Sequence, residues 1–164
     1  MLRWLWLSAV VVLLDQASKW WAQANLLPHV PRPLLPHLDL TLMFNRGAAF
    51  SFLGEAAGWQ RWFFTALAVV AVVVLTVWLA RLRSGDRLTA AGIALIIGGA
   101  IGNAIDRVRL GHVVDFIDLW WDARWHWPAF NLADSAITVG AVLLVLLSFR
   151  SEPPPARRNG KRRT

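Results

Sequence analysis

Long apolar runs of about twenty residues each constrain the fold of this chain more than any other feature. A helix of that length crosses the hydrocarbon core of a bilayer. The composition agrees, because 57% of the residues are hydrophobic and only 16% are charged. We therefore predict a membrane α-helical protein with a single domain over residues 1–150. Four transmembrane helices are expected, at 2–21, 59–80, 88–105 and 132–149.

Ten of the 17 basic residues lie in three clusters: at the N-terminus, in the loop at 81–87, and from Arg150 through the tail at 151–164. A net charge of +7 spread over a soluble surface would favour nucleic-acid binding, but clustered charge sets membrane topology instead. Because four spans put both termini on one side, we predict cytoplasmic termini, no nucleic-acid partner and a disordered tail. The clustered cations are Arg3, Arg81, Arg83, Arg87, Arg150, Arg157, Arg158, Lys161, Arg162 and Arg163.

The first apolar run has an alternative interpretation as a cleavable signal peptide. Arg3, the apolar core and the small residues around Gln23 resemble the parts of such a peptide. Asp15 and Lys19, however, stand where a signal peptide is neutral. We favour a retained first transmembrane helix.

The composition changes between about 25 and 58, where an outer β subdomain is expected. Four prolines disfavour a helix, and apolar residues then alternate over 38–44, which predicts a strand with one apolar face. Asn45-Arg46-Gly47 predicts a turn, and 48–54 is apolar again. We expect a small sheet on the membrane surface, with its apolar face toward lipid or substrate.

A long loop is expected from 106 to 128. It contains four tryptophans, and tryptophan at the end of a membrane span is usually an interfacial anchor. These tryptophans are Trp120, Trp121, Trp125 and Trp127.

Polar side chains recur at one predicted membrane boundary, the one opposite the basic clusters. A carboxylate at the edge of a hydrocarbon phase is costly and usually marks a functional site. Asp115 and Asp134 are separated by a short stretch of chain, and two acids at one face suggest general acid and base chemistry on water. The residues expected in this layer are Asp15, Asn45, Asn103, Asp106, Asp115, Asn131 and Asp134.

Several of these features also have purely structural explanations. Gly98 and Gly102 are four residues apart, which suits close helix packing without any further role. Asp15 and Lys19 have the same spacing and predict a structural ion pair within one helix, with Lys19 reaching outward to water. The four histidines show no ligand spacing and the chain has no cysteine, so no metal site or cofactor is expected.

Five segments resemble, in order, the signature blocks of the lipoprotein signal peptidases, or signal peptidase II, a family of bacterial inner-membrane aspartic proteases. The resemblance runs from about residue 4 to about 148, and the Trp-rich stretch at 119–127 and the tail match no block. The segments are Asp15-Gln16-Ala17-Ser18-Lys19, Asn45-Arg46-Gly47-Ala48-Ala49-Phe50, Gly98-Gly99-Ala100-Ile101-Gly102-Asn103-Ala104-Ile105-Asp106-Arg107, Val113-Val114-Asp115-Phe116 and Phe130-Asn131-Leu132-Ala133-Asp134-Ser135.

The resemblance implies an endopeptidase that removes signal peptides from prolipoproteins, cutting before a diacylglyceryl-modified cysteine. It implies a four-helix membrane core with an extracytoplasmic β cradle and a short amphipathic helix, and we expect a monomer in the phospholipid bilayer of the inner membrane. By motif position Asp115 and Asp134 would be catalytic, and Asp15 and Lys19 would hold the first helix to the outer subdomain. The residues implied to bind substrate or brace the site are Asn45, Gly47, Asn103, Asp106, Arg107, Asn131 and Ala133.

Physical chemistry supports this mechanism without a metal or a covalent intermediate. Two carboxylates held close together do not both ionise cheaply, so one keeps its proton while the other can accept a proton from water. The sequence leaves open which of Asp115 and Asp134 is protonated. Two rival classes are a proton-coupled transporter, which would place its acids at the membrane midplane, and a structural membrane protein.

Overall fold

A computed structural model describes residues 1–47, 58–122 and 125–149, with four long helices and a small antiparallel sheet. The chain opens with a single 3-10 turn at Leu2–Trp4. The helices are α1 (Leu5–Asn25), α2 (Trp59–Arg81), α3 (Arg87–Leu110) and α4 (Leu132–Ser148). The strands are β1 (Arg32–Leu35), β2 (Leu38–Asn45), β3 (Val113–Asp122) and β4 (Trp125–His126).

Two of these helices, α2 and α3, are long and apolar enough to cross a membrane. The fourth helix is apolar but shorter, and α1 carries the buried charges Asp15 and Lys19. The prediction of four helices is therefore matched in position, whereas the prediction that all four cross the membrane stays a prediction. Most of α2 is exposed on the outside of the bundle, while α3 is half-buried and packs against the other three helices.

Glycines on α3 allow this central packing. A Cβ at Gly98 would meet Val11 and the backbone of Ser8 on α1. A Cβ at Gly99 would press against the carbonyl oxygen of Ala133 on α4. Two neighbouring faces of α3 are thus free of side chains where α1 and α4 approach, as the small-residue pattern indicated.

The predicted strand at 38–44 is confirmed, and its longest pairing among the described residues is with β3. β2 pairs in antiparallel register with β3, so that Leu38 faces Leu119 and Asn45 faces Val113. The strands lie in the order β1-β2-β3-β4. The apolar segment at 48–54, and any amphipathic helix within 48–57, lie outside the described residues.

The predicted loop at 106–128 is wrong over most of its length. Helix α3 continues to Leu110 and ends at Gly111, whose positive φ of 80° turns the chain and whose N–H caps the carbonyl of Arg107. The ten-residue strand β3 then begins at Val113. This tight turn fixes the start of β3 next to the end of α3, because glycine adopts a left-handed φ at little cost.

An apolar cluster holds the sheet to the helices. Ala22 and Leu26, at the end of α1, pack against Leu42 of β2 and against Val114 and Phe116 of β3. All five side chains are buried. The cluster therefore fixes the strand that carries Asp115 against the same end of the bundle at which α4 begins.

Candidate active site

Asp134 lies in the first turn of α4, and the local sequence explains its position. Asn131 is the N-cap residue: its Oδ1 accepts the N–H of Asp134 at 2.9 Å, and Asp134 Oδ2 accepts the N–H of Asn131 at 3.3 Å. This reciprocal capping box satisfies two donors that a helix start leaves unpaired. The carboxylate also lies at the positive end of the helix dipole, which favours negative charge.

Asp115 lies on β3 and is only 1% exposed. Its Oδ2 accepts the side-chain amide of Asn45 at 3.0 Å, and its Oδ1 accepts that of Asn131 at 2.7 Å. Burial raises the pKa of the Asp115 carboxyl to about 6, and the negative charge of Asp134 adds to the rise. The two amide hydrogen bonds act in the opposite direction.

Asn103 on α3 joins the two carboxylates to the rest of the bundle. Its Nδ2 donates to Asp134 Oδ1 at 2.7 Å, and its Oδ1 accepts from Asn131 at 3.2 Å. Because Asn131 also donates to Asp115, one hydrogen-bonded network contains both acids. The structure thus brings together polar residues from α3, α4 and both central strands.

Lys19 is buried rather than extended to water, so the outward orientation expected for it is wrong. The predicted ion pair with Asp15 is present at 2.9 Å, and Asp106 makes a second one at 2.9 Å. The ammonium also donates to Asn103 Oδ1 at 2.9 Å. With three acceptors and 2% exposure, Lys19 has no need of water as a partner.

The two carboxylates that bind Lys19 also accept backbone hydrogen bonds from other elements. Asp15 Oδ1 accepts the N–H of Ala133 at 3.0 Å, and Asp106 Oδ2 accepts the N–H of Val114 at 3.1 Å. These contacts tie α1 to α4 and α3 to β3. Buried charges of this kind hold an arrangement in place because loss of one partner leaves another charge uncompensated.

Gly47 and Arg107 border the network. The N–H of Gly47 donates to Asn45 Oδ1 at 2.8 Å, which leaves the amide nitrogen of Asn45 for Asp115. Gly47 has a φ of 99°, and a Cβ there would come within 2.8 Å of the Phe64 ring. Arg107 lies 5.2 Å from the centre of that ring and interacts electrostatically with the aspartates of the site.

Gln16 is a member of the network that residue patterns did not single out, although it lies within a signature block. Its side-chain amide donates to Asp106 at 2.9 Å and to the carbonyl of Gly102 at 3.2 Å. Its position directly after Asp15, a costly acid in an apolar segment, was the one sequence signal that could have predicted its role. Within 1–47, 58–122 and 125–149, no three His, Cys, Asp or Glu side chains converge in a way that could hold a metal.

The fold and the site together define a helical protein with two helices long and apolar enough to cross a membrane, and with two aspartates in one polar network. Comparison with known proteins identifies its family. Residues 7–150 match the family model described as signal peptidase (SPase) II. The chain belongs to this family of proteases, as the five signature blocks predicted. Membership sets aside the transporter and purely structural interpretations.

Relatives and solved structures agree with this family. The chain is 53% identical to the lipoprotein signal peptidase of Pseudomonas paraeruginosa (strain DSM 24068 / PA7), covering 92% of this chain and 90% of the relative. It is 52% identical to that of Polynucleobacter necessarius (strain STIR1), covering 88% of each. A bacterial membrane enzyme solved by the in meso method at 1.9 Å resolution is similar, with a TM-score of 0.80 and 29% identity, over 92% of this chain and 94% of that one.

Proposed function

We propose that this protein removes signal peptides from prolipoproteins in the bacterial inner membrane, cutting before a diacylglyceryl-modified cysteine. Asp115 and Asp134 form the catalytic pair that activates water. The observation that carries the proposal is the network in which Asn131 donates to Asp115, and Asn103 to Asp134, with both acids at one end of the bundle. Family membership supports the substrate class.

The two aspartates have different surroundings, which suggests different tasks. Asp134 lies at a helix N-terminus and interacts with the charge of Arg107, so it suits the ionised form. Burial and the charge of Asp134 raise the pKa of Asp115 to about 6, so it suits the protonated form. We assign Asp134 as the base and Asp115 as the acid of a pair that titrates as a unit.

In the proposed reaction, water attacks the scissile carbonyl carbon as Asp134 takes a proton from the water. Asp115 donates its proton to the carbonyl oxygen, which gives a neutral tetrahedral diol. Asp115 then recovers a proton from one diol hydroxyl while Asp134 protonates the leaving nitrogen, and the C–N bond breaks. The pair ends with one proton, as it began, so atoms and charges balance.

The proposed topology places the substrate at this site. A signal peptide is an apolar helix, and a lipid-modified cysteine anchors at the membrane interface. With both termini in the cytoplasm, the network lies at the extracytoplasmic boundary, where that cysteine would rest. The apolar, lipid-exposed α2 and the half-buried α3 support the membrane placement.

A cleavage assay in detergent micelles tests the catalytic pair. A diacylglyceryl-modified prolipoprotein is incubated with wild type, Asp115→Asn, Asp134→Asn and the control Asp86→Asn, with a chelator present throughout. Loss of a group that transfers protons in the transition state costs about 10²–10⁴-fold in kcat, so both site variants should lose at least about a hundredfold. Asp86 is exposed and remote, at the start of α3, so its variant should cleave like wild type.

Thermal stability separates a chemical defect from a folding defect. The proposal requires the two inactive variants to unfold no more than a few degrees below wild type. Near-wild-type cleavage by either site variant would show that the pair is not the catalytic one. Loss of wild-type cleavage in the chelator alone would show that a metal takes part.

A further inference from the structure

Lys19 touches neither carboxylate of the catalytic pair, yet it is one contact away from Asp134. Its ammonium group donates to Asn103 Oδ1 at 2.9 Å, and Asn103 Nδ2 donates to Asp134 Oδ1 at 2.7 Å. An ammonium group can only donate hydrogen bonds, whereas an amide has one accepting and one donating end. The bond from Lys19 therefore decides which end of the Asn103 amide faces Asp134.

The same reasoning applies to the second amide of the network. Asn131 Oδ1 accepts the peptide N–H of Asp134 at 2.9 Å, and a peptide N–H also can only donate. The Nδ2 of Asn131 is left to face Asp115 Oδ1 at 2.7 Å. Each carboxylate thus accepts an amide donor whose orientation is fixed by a group that cannot accept.

We propose that Lys19 is a positioning residue for the catalytic pair: it holds the Asn103 amide so that its NH₂ group, and not its oxygen, faces Asp134. This inference rests on the proposed function of Asp115 and Asp134. Donation to a carboxylate favours its ionised form, so the orientation keeps Asp134 able to accept a proton from water. With the amide reversed, two oxygens would face each other, and a proton on Asp134 would relieve the repulsion.

Lys19 is the group that enforces this orientation most strongly. Asn131 also donates to Asn103 Oδ1, but at 3.2 Å and from a neutral amide. Hydrogen bonds from charged donors are shorter and roughly twice as strong as those between neutral groups. Two carboxylates, Asp15 and Asp106, hold the ammonium in place at 2.9 Å each.

Other charges also act on the pair, and the test must separate them from the amide. They come from every element that packs around it, and removal of Lys19 alone would also remove a positive charge. Arg107 from α3 and Asp115 from β3 interact directly with the charge of Asp134, and Lys19 from α1 interacts with the charge of Asp115. Asp15 and Asp106 are the ion-pair partners of Lys19. Arg46 and His112 lie nearby, beyond the ends of β2 and α3.

The key variant is Lys19→Met combined with Asp15→Asn, because it removes one charge of each sign and leaves the net charge unchanged. Asp15→Asn alone is the matched control, since it perturbs the attachment of α1 while Lys19 still donates to Asn103. Protonation of each aspartate is followed by the infrared band of protonated carboxyl groups in purified protein titrated over pH. Bands are assigned by their loss in Asp134→Asn and Asp115→Asn.

The charge-balanced variant should titrate Asp134 about one pH unit higher than wild type, the size of one hydrogen bond to a charged group. Asp15→Asn alone should not raise the midpoint. Adding Asn103→Ala should abolish the difference that Lys19→Met makes, because Lys19 acts through the amide. The acid limb of the pH–rate profile should move in step with the infrared midpoint.

Two results would overturn the proposal: a wild-type midpoint in the charge-balanced variant, or a shift of equal size when Asn103→Ala is present. If the charge-balanced variant shows no thermal unfolding transition, the single variant Asn103→Ala is titrated instead. An Asp134 midpoint equal to that of wild type in Asn103→Ala would then reject the proposal. The infrared titration does not depend on cleavage. Failure of the catalytic pair itself would appear separately, as activity retained in Asp115→Asn or Asp134→Asn.

Discussion

Asp115 and Asp134 join the same network from a strand and from a helix, and the two kinds of backbone favour different protonation states. A strand residue such as Asp115 receives no help from a helix dipole, and burial disfavours its charge. A residue in the first turn of a helix, such as Asp134, receives both a dipole and backbone donors. Two identical side chains are thereby made unequal, as the proposed acid and base must be.

Protein stability should depend on pH through Asp115. Burial raises the pKa of its carboxyl from 3.8 to about 6 in the folded protein, so the folded state binds the proton more tightly than the unfolded state does. The contribution of Asp115 to stability should therefore be fully present below about pH 3.8, fall as pH rises from there to about 6, and change little above that. The full effect is on the order of 3 kcal/mol at neutral pH, from 1.36 kcal/mol for each pKa unit.

Thermal unfolding in detergent between pH 7.5 and 4 measures this effect, because the change falls between the two pKa values of 3.8 and about 6. Wild type should unfold at a higher temperature at the lower pH. Most of that rise should be absent in Asp115→Asn, because this variant has no carboxyl to protonate at position 115. Equal pH dependence in the two proteins would contradict the assignment of the shift to Asp115.

At the scale of single residues the sequence indicates most of the network, because polar side chains in apolar segments are costly and conspicuous. Asn103, Asp106 and Asp134 stand out in this way. The orientation of Lys19 could not be obtained from its own helix. Two of its three partners, Asn103 and Asp106, come from α3, more than eighty residues later in the chain.

Among the elements, α3 depends on glycine for its contact with α4. A Cβ at Gly99 would press against the backbone of Ala133 and against Ile137, and backbone cannot move aside as a flexible side chain can. Gly99→Ala should destabilise the protein by about 1–3 kcal/mol, the usual cost of overpacking. Because Ala133 adjoins Asp134, cleavage activity should fall as well.

Gly85→Ala is the matched control for this substitution. Gly85 lies in the turn before α3, and a Cβ there meets no atom within 4 Å. Thermal unfolding of the two variants in the same detergent gives the comparison. Equal unfolding temperatures for Gly99→Ala and wild type would show that the two helices can separate without cost.

Strand β3 is the secondary-structure element that the sequence failed to predict. Its start, Val113-Val114, is followed by Asp115 and later by Asp118, so polar residues interrupt the apolar alternation that marks a strand. These acids are buried in the structure, where Asp118 accepts from Thr41 at 3.0 Å. A strand whose polar residues are satisfied by a partner far away in the chain resembles a loop when its sequence is examined alone.

Across the whole molecule, the middle of the bundle exposes apolar side chains, and the charged groups lie toward the ends of the helices. The outward face of α2 exposes large apolar side chains, including Leu67, Val70 and Val74, as expected for contact with lipid. The sheet, the ion pairs of Lys19 and the two aspartates all lie at the opposite end of the bundle from the basic loop at 81–87. The buried polar network and the basic loop thus lie at opposite ends of the apolar helices.

This arrangement predicts which end faces which compartment. Because the chain contains no cysteine, a single introduced cysteine can be labelled without background. Leu34→Cys lies on the sheet, where Leu34 is 57% exposed, and Ser84→Cys lies in the exposed basic loop between α2 and α3. Positive charge is retained on the cytoplasmic side, so the loop should be cytoplasmic and the sheet external.

A membrane-impermeant maleimide distinguishes the two positions in spheroplasts. Leu34→Cys should react in intact spheroplasts, whereas Ser84→Cys should react only after they are permeabilised, and both variants should cleave a prolipoprotein so that native folding is assured. The reverse pattern would place the aspartate pair on the cytoplasmic side. A secreted prolipoprotein could then no longer present its scissile bond to the pair, because that bond would lie across the hydrocarbon core, about 30 Å away.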